Sequence, residues 1–500
     1  MSETRASILE EAAKNSLTWD VLVIGGGATG LATAWDAVSR GLRVAVIERG
    51  DFSNATSSRS TKLLHGGVRY LQKGELDLVK EALTERERLL RNASEFARPL
   101  RFVLPVTQPL ARYYYRFGMF LYDTLAGSSG IARAELLSAG ETRERLPGIA
   151  LESLKGAVAY SDAQFDDAAL AIAMAQAIRH CGGLALNYAA VTRLLEDGGK
   201  ISGIAVKDTE SGEEWEMRAK VVINATGIFS NELRSENSIE QQWSVRTSRG
   251  SHLVCRREVL PGGHALIIPK IQDGRVLFAI PWKRHVVIGT TDVPTDGPVN
   301  DPSPTAEEVG FILKEAGRAL GVTAKDVTSQ WAGLRPLVGR ANTKSTAALS
   351  RKHVIEISPK GLISVLGGKW TTCRKMGEDA IDAAIRHHGL KAGNSTTATR
   401  RLTDHGARTP NYEIMDESAK PSPEELEHRV AEACHFAYAR TLEDVLTRRM
   451  RLLQLDANRA IKIAPQVAEL MAPELQWTPS EKQKMLDDFL KTAASYLPGI

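Results

Sequence analysis

Three glycines near the amino terminus are spaced so that the backbone can approach a phosphate group. Gly25, Gly27 and Gly30 lie in the run GGGATG, between the apolar segment WDVLVI and the helical stretch LATAWDAVSR. In such a strand-turn-helix unit the first glycine permits a tight turn, the second admits a pyrophosphate at the helix N-terminus, and the third allows close helix-strand packing. Glu48 ends the next strand, 18 residues after the last glycine, where its carboxylate can accept ribose hydroxyls. The unit predicts a dinucleotide site.

A polar segment after this unit concentrates hydroxyl groups and a cation before a glycine pair. It reads SNATSSRSTKLLHGG and contains Ser57, Ser58, Ser60, Thr61 and Lys62. We interpret it as a turn that surrounds a second phosphate and leads to a flavin ring, with a plain polar loop as the alternative. The glycine motif alone does not distinguish NAD from FAD, because both place an adenine dinucleotide on this unit. No second GxGxxG occurs, so we expect the electrons to leave to an acceptor other than NAD.

Several further elements must position these residues, because 500 residues exceed what one core normally holds and indicate two or three domains. Leu76, Val79, Leu83 and Leu90 recur at helical spacing and predict a helix over residues 75–93. The runs ISGIAVKD and KVVINATG predict antiparallel strands that fold back on the first domain.

The carboxyl-terminal region is predicted to be helical. A capping hydroxyl precedes an acid by three residues at Ser422, Thr441 and Thr478, and proline follows the first and third of these. An apolar stripe follows the first cap at spacings of 4, 3 and 4, formed by Leu426, Val430, Ala433 and Ala437. Residues 391–423 change in composition and predict a linker or an extended crossing segment before these helices.

Composition excludes several classes of protein. The chain is 43% hydrophobic and 25% charged, as in ordered globular proteins. Its net charge of +4, from 64 basic and 60 acidic residues, is too small for a dedicated nucleic-acid binder. The four cysteines are too widely spaced for a zinc, iron–sulfur or CxxC site, so we expect no metal and favour reduced thiols, although their even number leaves a disulfide open.

One segment suggests contact with a membrane surface. The amino terminus lacks the continuous apolar core of a secretory signal, and no stretch approaches the roughly 18 apolar residues of a membrane-spanning helix. ARYYYRFGMFLYDTLAG, however, combines three tyrosines with Arg112 and Arg116 beside an apolar run, as an interfacial anchor requires. The alternative is a helix whose apolar positions simply face the core.

The sequence resembles the FAD-dependent glycerol-3-phosphate dehydrogenases, the respiratory bacterial enzyme and its mitochondrial relatives, from residue 20 to the carboxyl terminus. The motifs that carry the resemblance are DVLVIGGGATG, ATSSRSTKLLHGGVRYL, YSDAQFDDAAL, VINATG, RGSHLV, IPWKRHVVIGTTD, AGLRPL, LGGKWTTCRKM and LEDVLTRRMRLL. The combination of HGGVRYL, GTTD and GGKWTT distinguishes this group from amino-acid oxidases that share its fold.

This resemblance implies an α/β and α+β fold. A Rossmann-type FAD-binding domain, interleaved with an antiparallel-sheet substrate cap, would occupy residues 19–395, and an all-helical domain residues 396–500. The resemblance also transfers the family's substrate residues to Arg69, Tyr70, His252, Arg335 and Lys369. Their chemistry is suitable: guanidinium groups and a phenol hold a phosphate dianion, an imidazole accepts a proton, and an ammonium stabilises developing negative charge.

Some assignments are secondary or concern the cofactor. His65 is the second choice as the base. The small side chains of Ala225 and Gly227 in VINATG should let the backbone approach the dinucleotide. Further cofactor contacts are expected from the GGKWTT segment, at Gly368, Lys369, Trp370 and Thr371.

The implied function is oxidation of sn-glycerol 3-phosphate to dihydroxyacetone phosphate by hydride transfer to FAD, with reoxidation by a membrane quinone, in glycerol and glycerophospholipid catabolism. The implied location is cytoplasmic, at the periphery of the inner membrane, with a homodimer as one oligomeric state. One alternative is a soluble oxidase that passes the electrons to oxygen. Another is a flavin-binding protein that binds RNA through Arg448, Arg449 and Arg451, although these arginines resemble a solvated helix face beside Glu443 and Asp444.

Overall fold

Two β-sheets and a carboxyl-terminal group of helices form the part of the chain that the computed structural model describes, residues 4–14, 18–67, 74–108, 110–268, 276–340, 352–408 and 422–499. The strands are β1 Thr18–Ile24, β2 Val44–Ile47, β3 Leu63–Leu64, β4 Ala97–Val106, β5 Glu135–Leu137, β6 Gly156–Phe165, β7 Leu184–Leu186, β8 Ala189–Asp197, β9 Lys200–Asp208, β10 Glu214–Asn224, β11 Trp243–Arg256, β12 Ala265–Ile268, β13 Leu277–Trp282, β14 His285–Gly289, β15 Val293–Thr295, β16 Val327–Arg340, β17 Val354–Ile357 and β18 Ile363–Leu366. The helices are α1 Arg5–Ala12, α2 Ala28–Ser39, α3 Leu76–Asn92, α4 Ala111–Ala126, α5 Ala139–Arg145, α6 Asp167–His180, α7 Ser230–Glu236, α8 Ala306–Leu320, α9 Cys373–His388, α10 Pro423–Phe436, α11 Leu452–Leu455, α12 Ala457–Leu475 and α13 Pro479–Ala494.

The first sheet is built around β1. Its path is β17-β18-β10-β1-β2-β7, and β1 runs parallel to both β2 and β10. The segments that pair in parallel, residues 21–24, 44–47 and 221–223, are continuously apolar and buried, as expected of a parallel sheet covered on both faces. Parallel strands end at the same edge, so the loops after Ile24, Ile47 and Asn224 meet there.

The second sheet contains the long strands β11 and β16, which pair along their length. Its pairs are antiparallel except β4 with β12, so the predicted antiparallel cap sheet contains one parallel pair. Successive residues of β11 face opposite sides. Leu253 and Cys255 pack in a core with α8, whereas Val254 joins a core formed with the carboxyl-terminal helices.

The interleaving of the two units is confirmed. The first sheet takes its strands from residues 18–47, 184–224 and 354–366, and the second takes its strands from residues 63–165 and 243–340. The chain therefore passes repeatedly between the sheets. Strands β9 and β10 pair antiparallel through Glu214–Arg218, but residues 221–224 of the run KVVINATG, which was predicted to be antiparallel, pair parallel with β1. Helix α3 matches the helix predicted for residues 75–93 to within one residue at each end.

The helical character of the carboxyl-terminal region is also confirmed. Ser422 and Thr478 cap α10 and α13, and the predicted stripe of α10 is buried. Residues 391–408 cross the first unit, where Ser395 donates to Asp36 and Asn92 donates to the Ala398 carbonyl. Residues 409–421 lie outside the described part of the chain, and the domain boundary at 395 stays a prediction.

The interpretation of the arginine cluster as a solvated face is wrong. Arg448, Arg449 and Arg451 expose only 2%, 3% and 0% of their surface. They form ion pairs with carboxylates that are distant in sequence. Arg448 and Arg449 both pair with Asp51, and Arg451 pairs with Asp166 at 2.6 Å. The RNA-binding hypothesis therefore loses the feature on which it rested.

Candidate active site

The glycine turn after β1 has the close contacts that its sequence predicts. Gly25 has a φ of +105°, and a Cβ atom there would lie 2.7 Å from the Ala225 carbonyl oxygen. A Cβ at Gly30 would lie 1.8 Å from the Gly25 oxygen. Helix α2 begins immediately after Gly27 without a side-chain cap. Its first amide groups therefore point toward the edge of the sheet where a phosphate can bind.

Glu48 closes this turn at the end of β2. Its carboxylate accepts hydrogen bonds from the Gly26 amide at 2.6 Å and the Gly50 amide at 2.9 Å. Burial raises the pKa of Glu48, against the lowering effect of these two amides. Ala225 and Gly227 follow β10 at the same edge, and the Ala225 amide donates to the Ile24 carbonyl. The predicted dinucleotide residues at this edge therefore lie together.

The polar turn, defined as residues 57–62, connects this edge to the second sheet. The Ser57 hydroxyl accepts from the Ala28 amide at 3.0 Å, and the Ser57 carbonyl accepts from the Trp370 indole at 2.8 Å. A Cβ at Gly333 of β16 would lie 2.6 Å from the Arg59 oxygen, so a glycine is needed where the turn crosses that strand. Ser58 is buried within the turn.

The GGKWTT segment lies against the polar turn. Gly368 has a φ of +84°, and a Cβ there would lie 2.2 Å from the sulfur of Met376. Lys369 has extended backbone before the short helical turn Trp370–Thr372. The Thr371 hydroxyl accepts from the His65 amide at 3.3 Å, which holds the predicted second-choice base beside this segment.

Lys62 is placed differently from its predicted role as a phosphate ligand. Its fully buried ammonium donates to the Ser58 carbonyl at 2.7 Å and to both oxygens of Asp167, at 3.0 and 2.8 Å. An ammonium group has three donors, and these contacts engage all of them. The ammonium that was expected to bind a phosphate is therefore paired with the carboxylate of Asp167, 105 residues further along the chain.

His252 lies in the middle of β11 with only 2% of its surface exposed. Its ring stacks on Trp331, the residue opposite it on β16, with centroids 4.0 Å apart. Its Nε2 lies 3.0 Å from the Thr61 hydroxyl, whereas Nδ1 has no hydrogen-bond partner among the described residues. Burial, then the charges of Arg335 and Lys62, hold the pKa of His252 well below its ordinary value. The imidazole is therefore neutral and able to accept a proton.

Arg335 reaches the same face through a gap left by a glycine. A Cβ at Gly250 would lie 2.4 Å from an Arg335 nitrogen and 2.6 Å from the Thr290 hydroxyl. The guanidinium donates to that hydroxyl at 2.9 Å and pairs with Asp292 at 3.4 Å. Gly250 precedes His252 by two residues and shares its strand face, so RGSHLV places a cation beside the imidazole. The Arg335 side chain remains 28% exposed, enough to meet a ligand.

Two predicted substrate residues, Arg69 and Tyr70, lie outside the described part of the chain. Other residues of the site were not singled out from the sequence. They are Thr290, Asp292, Trp331 and Asp167. Thr290 and Asp292 belong to GTTD, and Asp167 belongs to YSDAQFDDAAL, so motif membership could have drawn attention to these three. Trp331 is revealed only by strand register.

The described residues fit an adenine dinucleotide whose second half continues toward the His252 face. The fit rests on the start of α2, where Gly27 provides no side-chain cap, on the polar turn that joins the two sheets, and on the glycine pair at 367–368, whose members have φ values of +72° and +84°. FAD would be held by these three segments.

We expect Gly30→Ala to lower the FAD content of the purified protein to less than half of the wild-type value. The added methyl cannot fit against the Gly25 oxygen, so α2 must shift away from the turn. The ratio of flavin to protein absorbance measures this effect. Gly310→Ala is the matched control, because it also lies within a helix and has nothing within 4 Å of the added atom. Equal flavin content in both variants would contradict this account of the turn.

Known proteins match this chain over most of its length. The family described as FAD dependent oxidoreductase matches residues 20–374, and the C-terminal domain of alpha-glycerophosphate oxidase matches residues 363–482. The mitochondrial glycerol-3-phosphate dehydrogenase of Bos taurus is 38% identical over 530 residues, covering 95% of this chain and 73% of that protein. The mitochondrial enzyme of Arabidopsis thaliana is 35% identical, covering 95% and 86%.

Solved structures give the same result. The glycerol-3-phosphate dehydrogenase from Bacillus halodurans complexed with FAD has a TM-score of 0.79 at 27% identity, over 99% of this chain and 98% of that one. The L-alpha-glycerophosphate oxidase from Mycoplasma pneumoniae with FAD bound shares the fold, with a TM-score of 0.59 at 16% identity, over 76% and 97%. The chain belongs to the FAD-dependent oxidoreductase family, within the group of FAD-dependent glycerol-3-phosphate dehydrogenases, and FAD is its cofactor.

Proposed function

We propose that this protein oxidises sn-glycerol 3-phosphate to dihydroxyacetone phosphate. The observation that carries this function is the pairing of a neutral, buried His252 with the half-buried guanidinium of Arg335 on one sheet face beside the polar turn. A proton acceptor and an anion-binding group on the same sheet face suit a phosphorylated secondary alcohol. When bound, FAD would supply the hydride acceptor for the C2 carbon.

The roles of the side chains follow from their surroundings. Arg335 binds the phosphate, since the Thr290 hydroxyl and the Asp292 carboxylate hold its guanidinium at the edge of the site. Arg69 and Tyr70, which lie outside the described residues, are proposed to complete this contact. His252 accepts the proton of the C2 hydroxyl, and Thr61 fixes the orientation of the ring through Nε2. Lys369 is proposed to stabilise negative charge at the carbonyl oxygen as it forms.

Anaerobic titration of the yellow protein with glycerol 3-phosphate tests the proposal, with the flavin absorbance as the readout. Glycerol and D- and L-amino acids serve as controls. We expect bleaching by glycerol 3-phosphate alone, because only this compound combines a phosphate for Arg335 with an alcohol for His252. Bleaching by an amino acid, or by none of the compounds, would contradict the assigned substrate.

We further propose that the electrons pass to a quinone at a membrane surface, to which the protein binds peripherally from the cytoplasmic side. Helix α4 supports this proposal, because its outer face exposes a row of large apolar side chains at helical spacing. They are Leu110, Tyr113, Tyr114, Phe117, Phe120 and Leu121, exposed by 39–80%. Its inner face packs Met119 and Tyr122 against the second sheet. Arg112 and Arg116 flank the exposed row, as in interfacial helices.

No helix within the described residues is long and apolar enough to cross a bilayer. The α4 surface is therefore the membrane contact that we propose. An exposed apolar row of this kind favours an acceptor dissolved in lipid over oxygen, which needs no such surface.

A homodimer is proposed as the oligomeric state, and light scattering of the detergent-free protein tests it.

We expect the double variant Tyr114→Ser with Phe117→Ser to bind anionic phospholipid vesicles about tenfold or more weakly than the wild type. Each aromatic side chain contributes on the order of 1.5–3 kcal/mol when it is fully buried in an apolar medium. Co-sedimentation with vesicles measures binding. The matched control is Leu76→Ser with Val299→Ser, which removes two similarly exposed apolar residues elsewhere, 48% and 51% exposed. Unchanged binding by the α4 variant would place the contact on another surface.

A further inference from the structure

Lys62 is a buried cation next to the proposed base, and the mechanism above does not use it. Its ammonium lies 4.9 Å from the centre of the Trp331 ring and 5.3 Å from the centre of the Trp282 ring. The His252 ring stacks on the same Trp331 indole at 4.0 Å. One indole therefore contacts both the imidazole and the ammonium, in a region from which water is excluded.

A second domain holds this cation in place. Asp167, at the start of α6, accepts from Lys62 and also pairs with Arg451 of the carboxyl-terminal region. Arg451 is fully buried, pairs with Asp166 as well, and has its guanidinium 5.6 Å from the Trp282 ring centre. The helical region is thus linked to the base through Asp167, Lys62 and Trp331 in turn. Burial lowers the pKa of Lys62 to about 8, with Asp167 opposing that shift, so the group remains largely charged at neutral pH.

The other elements packed against His252 supply few competing charges among the described residues. Strand β16 contributes Arg335, whose charge is partly balanced by Asp292. Strand β14 places Gly289 opposite the imidazole. The neighbouring Ser251 amide donates to Thr291, whose hydroxyl donates to Glu308, and Arg249 neutralises that carboxylate at 2.8 Å. Lys62 and Arg335 are therefore the cations that act on the ring.

We propose that Lys62 is a positioning residue that keeps His252 unprotonated, so that the imidazole can accept the substrate proton at and below neutral pH, and that Arg451 and Asp167 fix Lys62 for this purpose. The proposal rests on the function proposed above, because it assumes that His252 is the base. It assigns to the helical carboxyl-terminal region an indirect part in the chemistry of the site, through the ion pairs that hold Lys62.

The pH dependence of flavin reduction by glycerol 3-phosphate tests the proposal in Lys62→Gln holoenzyme. A base must be unprotonated, so the rate falls as the pH drops through the pKa of His252. Glutamine retains hydrogen bonds but removes a charge that disfavours the imidazolium. The acidic limb of the pH–rate profile should therefore move to higher pH, by roughly 1–2 units for two charges in contact with one indole at an effective dielectric constant of about 20.

Two further variants separate charge from packing. Lys62→Arg keeps the positive charge, so the acidic limb of its pH–rate profile should lie at the wild-type pH. Lys283→Gln removes another cation of the same cluster, which pairs with Asp166 at 3.3 Å and contacts Trp282 rather than Trp331. This variant should leave the limb in place. A limb that moves equally in Lys62→Gln and Lys283→Gln would overturn the proposal.

A second readout needs no substrate. Nitrogen-15 NMR of labelled histidine in the holoenzyme reports the protonation of His252, and loss of its resonances in His252→Asn assigns them. We expect His252 to titrate at higher pH in Lys62→Gln than in the wild type, and an unchanged titration would overturn the proposal. If glycerol 3-phosphate fails to bleach the wild-type flavin while the NMR shift is present, the proposed substrate fails and the electrostatic coupling stands.

If the Lys62→Gln protein does not retain FAD, Arg451→Gln, which releases Asp167, takes its place. The titration of His252 should again move to higher pH.

Discussion

His252→Asn is expected to slow reduction of the flavin by glycerol 3-phosphate by about 10²–10⁴-fold, the usual contribution of a positioned proton acceptor. Asparagine can still hydrogen-bond to the Thr61 hydroxyl, so the turn should keep its position. It cannot accept the C2 proton at neutral pH. Substrate affinity should change little, because Arg335 remains. Anaerobic stopped-flow reduction over a range of substrate concentrations separates the rate from the affinity.

His387→Asn is the control for this substitution. It makes the same chemical change at an exposed position near the end of α9, away from the site. Its reduction rate should equal that of the wild type. A His252→Asn rate within threefold of the wild type would exclude His252 as the base and would direct attention to His65, whose amide contacts Thr371.

Asp51→Asn is expected to lower the free energy of unfolding by about 3–5 kcal/mol, the cost of removing one partner from a buried ion cluster. Asp51 is fully buried and accepts from Arg448 at 2.5 Å and from Arg449 at 2.7 Å through both of its oxygens. The variant would leave Arg448 paired with Asp444 and Glu443, but it would remove the carboxylate that pairs with the buried Arg449 guanidinium. Urea unfolding followed by flavin release and by circular dichroism measures the loss.

This cluster joins the dinucleotide unit to the carboxyl-terminal helices, so flavin release and helix unfolding should both shift to lower urea. Glu87→Gln is the matched control, since it removes a carboxylate from the surface pair with Arg91, whose side chain is 52% exposed. Such pairs contribute about 0–1 kcal/mol. If Asp51→Asn unfolds at the same urea concentration as this control, the cluster does not hold the two regions together.

Local patterns predicted the parts of the fold that depend on near neighbours. The helix over residues 75–93 and the caps at Ser422 and Thr478 follow from spacings of three and four residues. The glycine turn follows from the steric limits of a strand-turn-helix connection, and Gly25 and Gly30 have the contacts that those limits require. Hydrophobic spacing and hydroxyl caps act over one or two helical turns, so the sequence displays them directly.

The same local reasoning failed where a charged group found a distant partner. Arg448 and Arg449 lie beside Glu443 and Asp444, which indicated a solvated helix face. In the folded protein both arginines are instead buried in ion pairs with Asp51, which lies nearly 400 residues earlier in the sequence. An arginine is almost never fully buried unless it forms an ion pair with a carboxylate in the folded protein. The spacing of residues along the sequence does not show whether such a distant carboxylate is present.

By itself the sequence determined the dinucleotide turn, the helical carboxyl-terminal region and, through family motifs, the interleaved fold, the candidate base and the candidate phosphate ligand. Only the tertiary structure placed His252 opposite Trp331, opened the space beside Gly250 for Arg335, and turned Lys62 toward Asp167 rather than toward a phosphate. The physical reason is that turns and caps are satisfied within a few residues. Strand register and buried ion pairs join groups 79 to 398 residues apart, which only the folded chain brings together.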